Sequence, residues 1–176
     1  IAGSRLYLQE EIYDEYLNEI KNRALKISIG DPMEQHTQVG PLATLQQLRN
    51  IENKITETIK QGGKLIVGGK KPKDIKTGYF FEPTIIECDN HNLPVAENEL
   101  FGPVLSIMKF TDEDHAIKLM NDNKFGLAAG IFTENNGAAM RVSKAVRAGI
   151  VFVNTYRLIS PIAPFGGFKN SGFGRE

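Results

Sequence analysis

From Pro103 to Asn154 the chain keeps one order without interruption: "PVLSIMKF", "DEDHAIKLMNDN", "GLAAGIFT", "NNGAAMRVSKAVRAG" and "IVFVN". Apolar, β-branched runs alternate with amphipathic ones, which reads as β-α-β-α-β. Strands joined through helices of about a dozen residues must cross over to pair, and they do so as parallel neighbours with a right-handed connection. The fold class that follows is α/β, a layered parallel-type sheet with flanking helices. Within the run, Thr111 with Asp114 gives a capping-box signature, and Met140, Val142, Ala145 and Val146 supply the apolar side of the last helix. Gly149 is placed to stop that helix in the left-handed region.

The first half carries the same signals less regularly. Arg5 to Gln9 alternates polar and apolar as a half-buried strand does, and "EEIYDEYLNEIKNRALKI" sets Ile12, Tyr16, Leu17, Ile20 and Ala24 on one helical face. Thr44 is placed to cap a second helix with Leu48, Ile51, Ile55 and Ile59 inward, and Gly62-Gly63 ends it. "KLIVGG" reads as a short buried strand, "KKPKDIKTG" as a solvated loop and "YFFEPTIIE" as extended chain. After Asn154 the chain loses periodicity and becomes rich in Gly and Pro.

Several chemistries are excluded on residue type and spacing. Twenty-one basic side chains balance twenty-one acidic ones, so no net field gathers nucleic acid or an anionic membrane surface. The three histidines share no spacing with one another or with Cys88 that converges on a metal, and each reads as a surface or loop residue. "GGKLIVGGKK" has glycines without the Lys-Ser or Lys-Thr of a phosphate loop, and neither a G-x-S-x-G elbow nor a helix-opening G-x-G-x-x-G occurs. The single Cys88 makes no internal disulfide, and no charged leader precedes a long apolar run, so a cytoplasmic setting is expected. Flanked by Glu87 and Asp89, its thiol is expected to titrate high and to be a poor nucleophile.

The chemistry that is present concentrates in "ENELFGPVLSI" and in the tail "PFGGFKNSGFGRE". Glu99 stands two residues before Phe101, and Gly102-Pro103 turns the chain straight into a strand. A carboxylate accepts two hydrogen bonds at once and suits a ribose diol, while an aromatic ring covers the apolar face of a sugar or nicotinamide. The blander alternative is a strand-leading turn with a solvated glutamate. In the tail, paired glycines between Phe165 and Phe168 let backbone approach closely while the rings wall a cavity, or else form a glycine-rich surface turn.

In this order and spacing, "AENELFGPVLSI", "NDNKFGLAAGIFT", "RVSKAVRAGIVFVN" and "PFGGFKNSGFGRE" resemble the NAD(P)-dependent aldehyde dehydrogenase superfamily, and the resemblance runs from "AGSRLYLQ" to "SGFGRE". It implies that residues 1–176 are a truncated catalytic-domain fragment that begins at Ile1, just after the nucleophilic cysteine. The family's general-base glutamate, oxyanion asparagine, cofactor-binding domain and oligomerisation tail are then expected outside it. No catalytic residue of the family's set and no metal site falls in the chain. The parent is expected to oxidise an aldehyde to a carboxylic acid through a cysteine thiohemiacetal and thioester, with NAD or NADP as cofactor, as a homo-oligomer, with no nucleic-acid or membrane partner. The fragment alone is expected to be inactive and to self-associate.

By the same resemblance Glu99 grips the nicotinamide ribose hydroxyls, Phe101 packs beside that ribose, and Gln47 aligns with another ribose contact. Asn98 replaces the family's usual second acidic residue, which bears on the fine shape of the turn. The loop "TYRLISPIA" is where substrate choice is set. There Phe165 matches an aromatic of the aldehyde tunnel, Leu158, Ile159 and Ile162 favour an apolar or aromatic aldehyde, and Arg157 either pairs with a substrate carboxylate or remains a solvated rim residue. Two other classes compete: a non-catalytic stand-alone α/β binding module, and a hydratase or esterase using Ser160 or Ser171, for which no base stands at a recognisable spacing.

Overall fold

A computed structural model describes residues 2–160 and 162–176; Ile1, on which the reading of the chain's start turns, lies outside the described residues. The chain forms two compact units, Ser4–Lys109 and Phe110–Glu176, the latter together with Ala2 and Gly3.

In the first unit, β1 (Arg5–Gln9) leads through a single 3-10 turn into α1 (Tyr13–Leu25), followed by α2 (Leu45–Lys60), β2 (Lys64–Val67), β3 (Thr84–Glu87), the one-turn α3 (Pro94–Glu97) and β4 (Val104–Phe110). The strands lie side by side in the order β1-β4-β3-β2. β3 and β4 pair in parallel with Thr84 opposite Val104, whereas β2 runs antiparallel to β3, so the sheet is mixed. Because successive side chains of a strand point to opposite faces, Ile86, Cys88, Val104 and Met108 meet α2 and α3 through Leu48, Ile51, Ile55, Val95 and Ala96. Ile85 and Ile107 point the other way, onto Tyr13, Leu17, Ile20 and Ala24 of α1. Helices cover both faces, as the apolar run of β3 requires.

Local detail departs from the sequence expectations where a tertiary partner decides. The inward face of α1 is Tyr13-Leu17-Ile20-Ala24, and Ile12 and Tyr16 are exposed. Thr44 caps α2 as expected, accepting the Gln47 N–H at 3.1 Å. Thr58 rather than Ile59 is buried, because its hydroxyl accepts the Val95 N–H of α3 at 3.1 Å while donating to the Lys54 carbonyl at 2.7 Å. The β2 strand is an edge and keeps Leu65 exposed.

The second unit holds α4 (Glu113–Asn121), β5 (Phe125–Gly126), β6 (Ala128–Ile131), α5 (Asn136–Ala145), β7 (Ile150–Val153) and β8 (Phe168–Lys169). β6 and β7 pair in parallel across α5, as the alternation predicts. The expected β4–β6 pairing is not among those the described residues make: β4 sits between β1 and β3, while β6 pairs with β7. The parallel crossover into β4 instead runs from β3 through α3. β5 and β8 form a short antiparallel ladder that holds the tail. Met140 is exposed, and Ala139, Val142 and Val146 are the buried side of α5. Gly149 is not left-handed, and α5 already ends in extended backbone at Val146. A Cβ at Gly149 would overlap the Gly166 carbonyl oxygen, so the glycine is needed for backbone against backbone.

The cap of α4 is Asp112, not Thr111: the Asp112 carboxylate accepts the His115 N–H at 2.8 Å, and Thr111 supports it from the side at 3.2 Å. The bond from the His115 N–H holds the Asp112 carboxyl below its ordinary value, and the paired Arg141 does the same for Glu113. A carboxylate whose pKa is lowered on folding adds stability above its unfolded value, and that stability disappears as pH falls through the folded value. Acid melting should therefore steepen below about pH 4, the ordinary carboxylate range. Asp112→Asn, which resembles the uncharged acid, should lower Tm slightly at neutral pH and flatten that part of the Tm-against-pH curve.

Candidate functional site

Gln47, Glu99 and Phe101 are brought together in the first unit by a short irregular turn between α3 and β4. Leu100 is buried in the core, so its two neighbours are turned outward: Glu99 is exposed and Phe101 is 77% exposed. Phe101 adopts a left-handed φ of 51°, uncommon for a side chain of that size, and Gly102 follows where a Cβ would strike Ile51. The turn is pinned from α2. The Gln47 side chain accepts the Ala43 N–H through Oε1 at 3.2 Å and donates from Nε2 to the Phe101 carbonyl. Thr44 and Gln47 have the T-x-x-Q spacing of a capping box, but the glutamine accepts the N–H of Ala43, one residue before the cap, and its amide nitrogen reaches the turn.

Arg5 lies on the other side of the same turn. Its Nε–H donates to the Ala96 carbonyl at 2.6 Å, and Nη1 donates to Ser4 Oγ at 3.2 Å. Burial pulls the guanidinium below its ordinary value, while the charges of Tyr7 and Glu99 act in the opposite direction. Sequence reasoning did not single out Arg5, because its partner is 91 residues away.

Phe165, Ile159 and Arg157 belong to the second unit. Asn154, with φ 53°, begins their segment by a double bond to Thr133: Oδ1 accepts the Thr133 N–H at 2.9 Å and Nδ2 donates to its carbonyl at 2.9 Å. Tyr156 stacks edge-on against Phe152 at 5.3 Å, and burial raises its phenol. Arg157 has φ 67° and is exposed, and Leu158, Ile159 and Ile162 are exposed too. Phe165 is half-buried and tied to Glu176 by mutual backbone bonds of 2.9 and 3.0 Å. Arg175 donates to the Gly167 carbonyl at 2.7 Å and lies over the Phe168 ring at 5.0 Å. Among the described residues, no group of three His, Cys, Asp or Glu side chains forms a metal site, and no helix is long and apolar enough to cross a membrane.

Two reactive side chains lie elsewhere. Cys88 is 2% exposed, and its thiol is pushed up to about 12 by burial first and by Asp89 and Glu87 second. Acidic neighbours alone were the expected cause; burial is the larger one. His91, expected on the surface, is 6% exposed, with Nε2 at 2.7 Å from the Tyr7 hydroxyl.

The aldehyde dehydrogenase family matches this chain along residues 1–176. The chain belongs to the aldehyde dehydrogenase family. Among its relatives, the chain is 44% identical to (Z)-2-((N-methylformamido)methylene)-5-hydroxybutyrolactone dehydrogenase of Acinetobacter baylyi over 100% of its own length and 36% of that protein's. It is 44% identical to an aldehyde dehydrogenase of Emericella nidulans, covering 99% of this chain and 35% of the relative. The structure of betaine aldehyde dehydrogenase from Staphylococcus aureus in complex with NAD+ superposes with a TM-score of 0.95 at 36% identity, over 99% of this chain and 35% of that one. This aldehyde dehydrogenase chain thus spans about a third of the length of the relatives it matches. The match bears out the resemblance carried by the four motifs and the α/β class.

Proposed function

We propose that this chain is part of the catalytic domain of a cytoplasmic, homo-oligomeric, NAD(P)-dependent aldehyde dehydrogenase that oxidises an aldehyde to a carboxylic acid. In this reading Glu99 and Phe101 hold the nicotinamide ribose, with Gln47 beside them. Phe165, Ile159 and Arg157 line the approach of the aldehyde. One observation carries the reading: Leu100 is sunk in the core while Glu99 and Phe101 point outward on a turn whose own Phe101 carbonyl is already satisfied by Gln47.

The residues fit the cofactor by their chemistry. An ionised carboxylate only accepts hydrogen bonds, and a cis-diol offers two donors side by side. The exposed Phe101 ring supplies an apolar face next to them. When bound, the nicotinamide accepts a hydride from the substrate carbon. The protein's part at this turn is to fix the ribose and, through it, the ring. The exposed apolar side chains of Leu158, Ile159 and Ile162 favour an apolar or aromatic aldehyde, since removing such surface from water is worth about 25 cal/mol per Å².

In this reading the nucleophile of the reaction is not among this chain's residues. Supporting that, the thiol of Cys88 is buried and held in its neutral form, the opposite of what an attacking thiolate needs. The purified chain should therefore form no NADH from any aldehyde. It should still bind nicotinamide riboside weakly, with amide shifts centred on Glu99 to Gly102 in two-dimensional NMR. Glu99→Gln, which loses a charged acceptor, should weaken that binding about tenfold. Turnover by the chain alone would overturn the placement of the nucleophile. Riboside binding that ignores both Glu99→Gln and blocking of the 2′,3′-diol would overturn the ribose site.

A further inference from the structure

The turn that carries Glu99 is held at both ends, and neither holder lies near it in sequence. On the β4 side, Gln47 fixes the Phe101 carbonyl. On the α3 side, the last carbonyls of a helix have no partner within it and must find one outside. Arg5 supplies that partner to Ala96, three residues before Glu99, with a 2.6 Å bond from the ε nitrogen. Arg5 is itself fixed: its strand is stitched to β4 through the Ser4 carbonyl, which accepts the Ser106 N–H at 3.0 Å and the Ser106 hydroxyl at 3.2 Å. The strand that leaves the turn and the residue that clamps its beginning therefore belong to one ladder.

We propose that Arg5 is a positioning residue for Glu99: by clamping the Ala96 carbonyl opposite the Gln47 clamp on Phe101, it sets the direction in which the Glu99 carboxylate is presented to a ribose diol. The ribose part of this inference rests on the reading given under Proposed function. Arg5 does not touch the ligand; it acts through the backbone of residues 96–99 and through its charge on Glu99. A guanidinium suits the task because its donors are fixed in a plane, so the bond to Ala96 has one direction, and because it stays charged when half-buried.

The test uses the 176-residue chain, with nicotinamide riboside as the probe. Two quantities are read by NMR: riboside affinity, and hydrogen exchange of the amides of residues 97–101 without ligand. Arg5→Gln removes the charge and the fixed donor. It should accelerate exchange at 97–101 about tenfold and weaken riboside binding by a similar factor, the usual size for loss of a charge-assisted bond. Exchange at Ile86 and Ile107, in the core of the sheet, should stay unchanged, which separates loss of aim from loss of fold. Arg5→Lys keeps a charge but loses the fixed planar donor, so exchange at 97–101 should stay fast and riboside binding should stay weak with it. It also serves as the deciding variant if Arg5→Gln does not fold. Unchanged exchange at 97–101, or equal riboside affinity in wild type and Arg5→Gln, overturns the proposal. If wild type itself fails to bind riboside, the ribose reading falls, and the exchange data alone then decide whether Arg5 holds the turn.

Discussion

Gly149→Ala should cost the second unit its ordered tail. The added methyl would overlap the Gly166 carbonyl oxygen and come within 2.7 Å of the Gly166 carbonyl carbon and 3.1 Å of the Gly167 Cα, all backbone atoms that no rotamer change can move aside. Gly166 and Gly167 are buried, and Phe165 just before them is pinned to Glu176, so the strain cannot be relieved without unzipping that contact. Overpacking in a core usually costs about 1–3 kcal/mol, and with backbone on the receiving side the expected loss is at the top of that range or above it. Chemical denaturation followed by far-ultraviolet circular dichroism is the appropriate measurement, because the chain contains no tryptophan. Exchange at Gly126 and Phe168, which pair in the β5–β8 ladder, should rise with it. An unchanged denaturation midpoint would mean that Gly149 is an ordinary loop glycine.

Ile51→Ala is the second large effect, and it reaches from the core to the site. Ile51 is fully buried, in the cluster where α2 meets β3 and β4, and its Cδ1 lies directly under Gly102. Truncating a buried isoleucine of this kind costs about 2–5 kcal/mol, the transfer term plus the cavity left behind. The site is also affected, since the cavity opens beneath the turn that carries Glu99 and Phe101. A lowered denaturation midpoint with an unchanged slope is expected, together with faster amide exchange at Leu100 and Phe101. Ile59→Ala, one residue from the buried Thr58 and exposed on the same helix, is the control and should change stability little. Equal effects of the two substitutions would mean that α2 packs with the other face.

What the sequence reveals about this fold is what short-range patterns encode. Thr44 as a cap, α5 between two strands and the β6–β7 parallel pair all depend on residues within one element or one crossover. The misreadings share a different cause. Thr58 displaces Ile59 by a single step around α2, and only the Val95 N–H, 37 residues on, makes a hydroxyl the better inward group. Thr111 reads as the cap by its spacing to Asp114, but the helix begins one residue later, and it is the Asp112 carboxylate that faces the His115 N–H. His91 reads as a loop residue until Tyr7, 84 positions earlier, is set against it. At the site, Glu99 and Phe101 are legible because a strand-leading turn with an intervening apolar anchor presents them. Gln47 and Arg5 act on the same turn from 54 and 91 residues' distance, respectively from Phe101 and Ala96, where no local period reports them.

The chain's only thiol is silent, and this makes the molecule a clean host for spectroscopic probes. Cys88 is sealed in the core with its proton held to about pH 12, so at neutral pH a maleimide or disulfide reagent meets almost no thiolate there. A cysteine placed at the fully exposed Phe173, or at Met33 on the exposed 31–36 segment, offers the reagent its one accessible thiol. With no indole in the background, a dye on the first site and a single tryptophan at Phe101 would report on the tail and on the Glu99 turn separately. The native sulfur need not be removed to do so, and the packing of Ile86, Leu93 and Met108 around it stays intact.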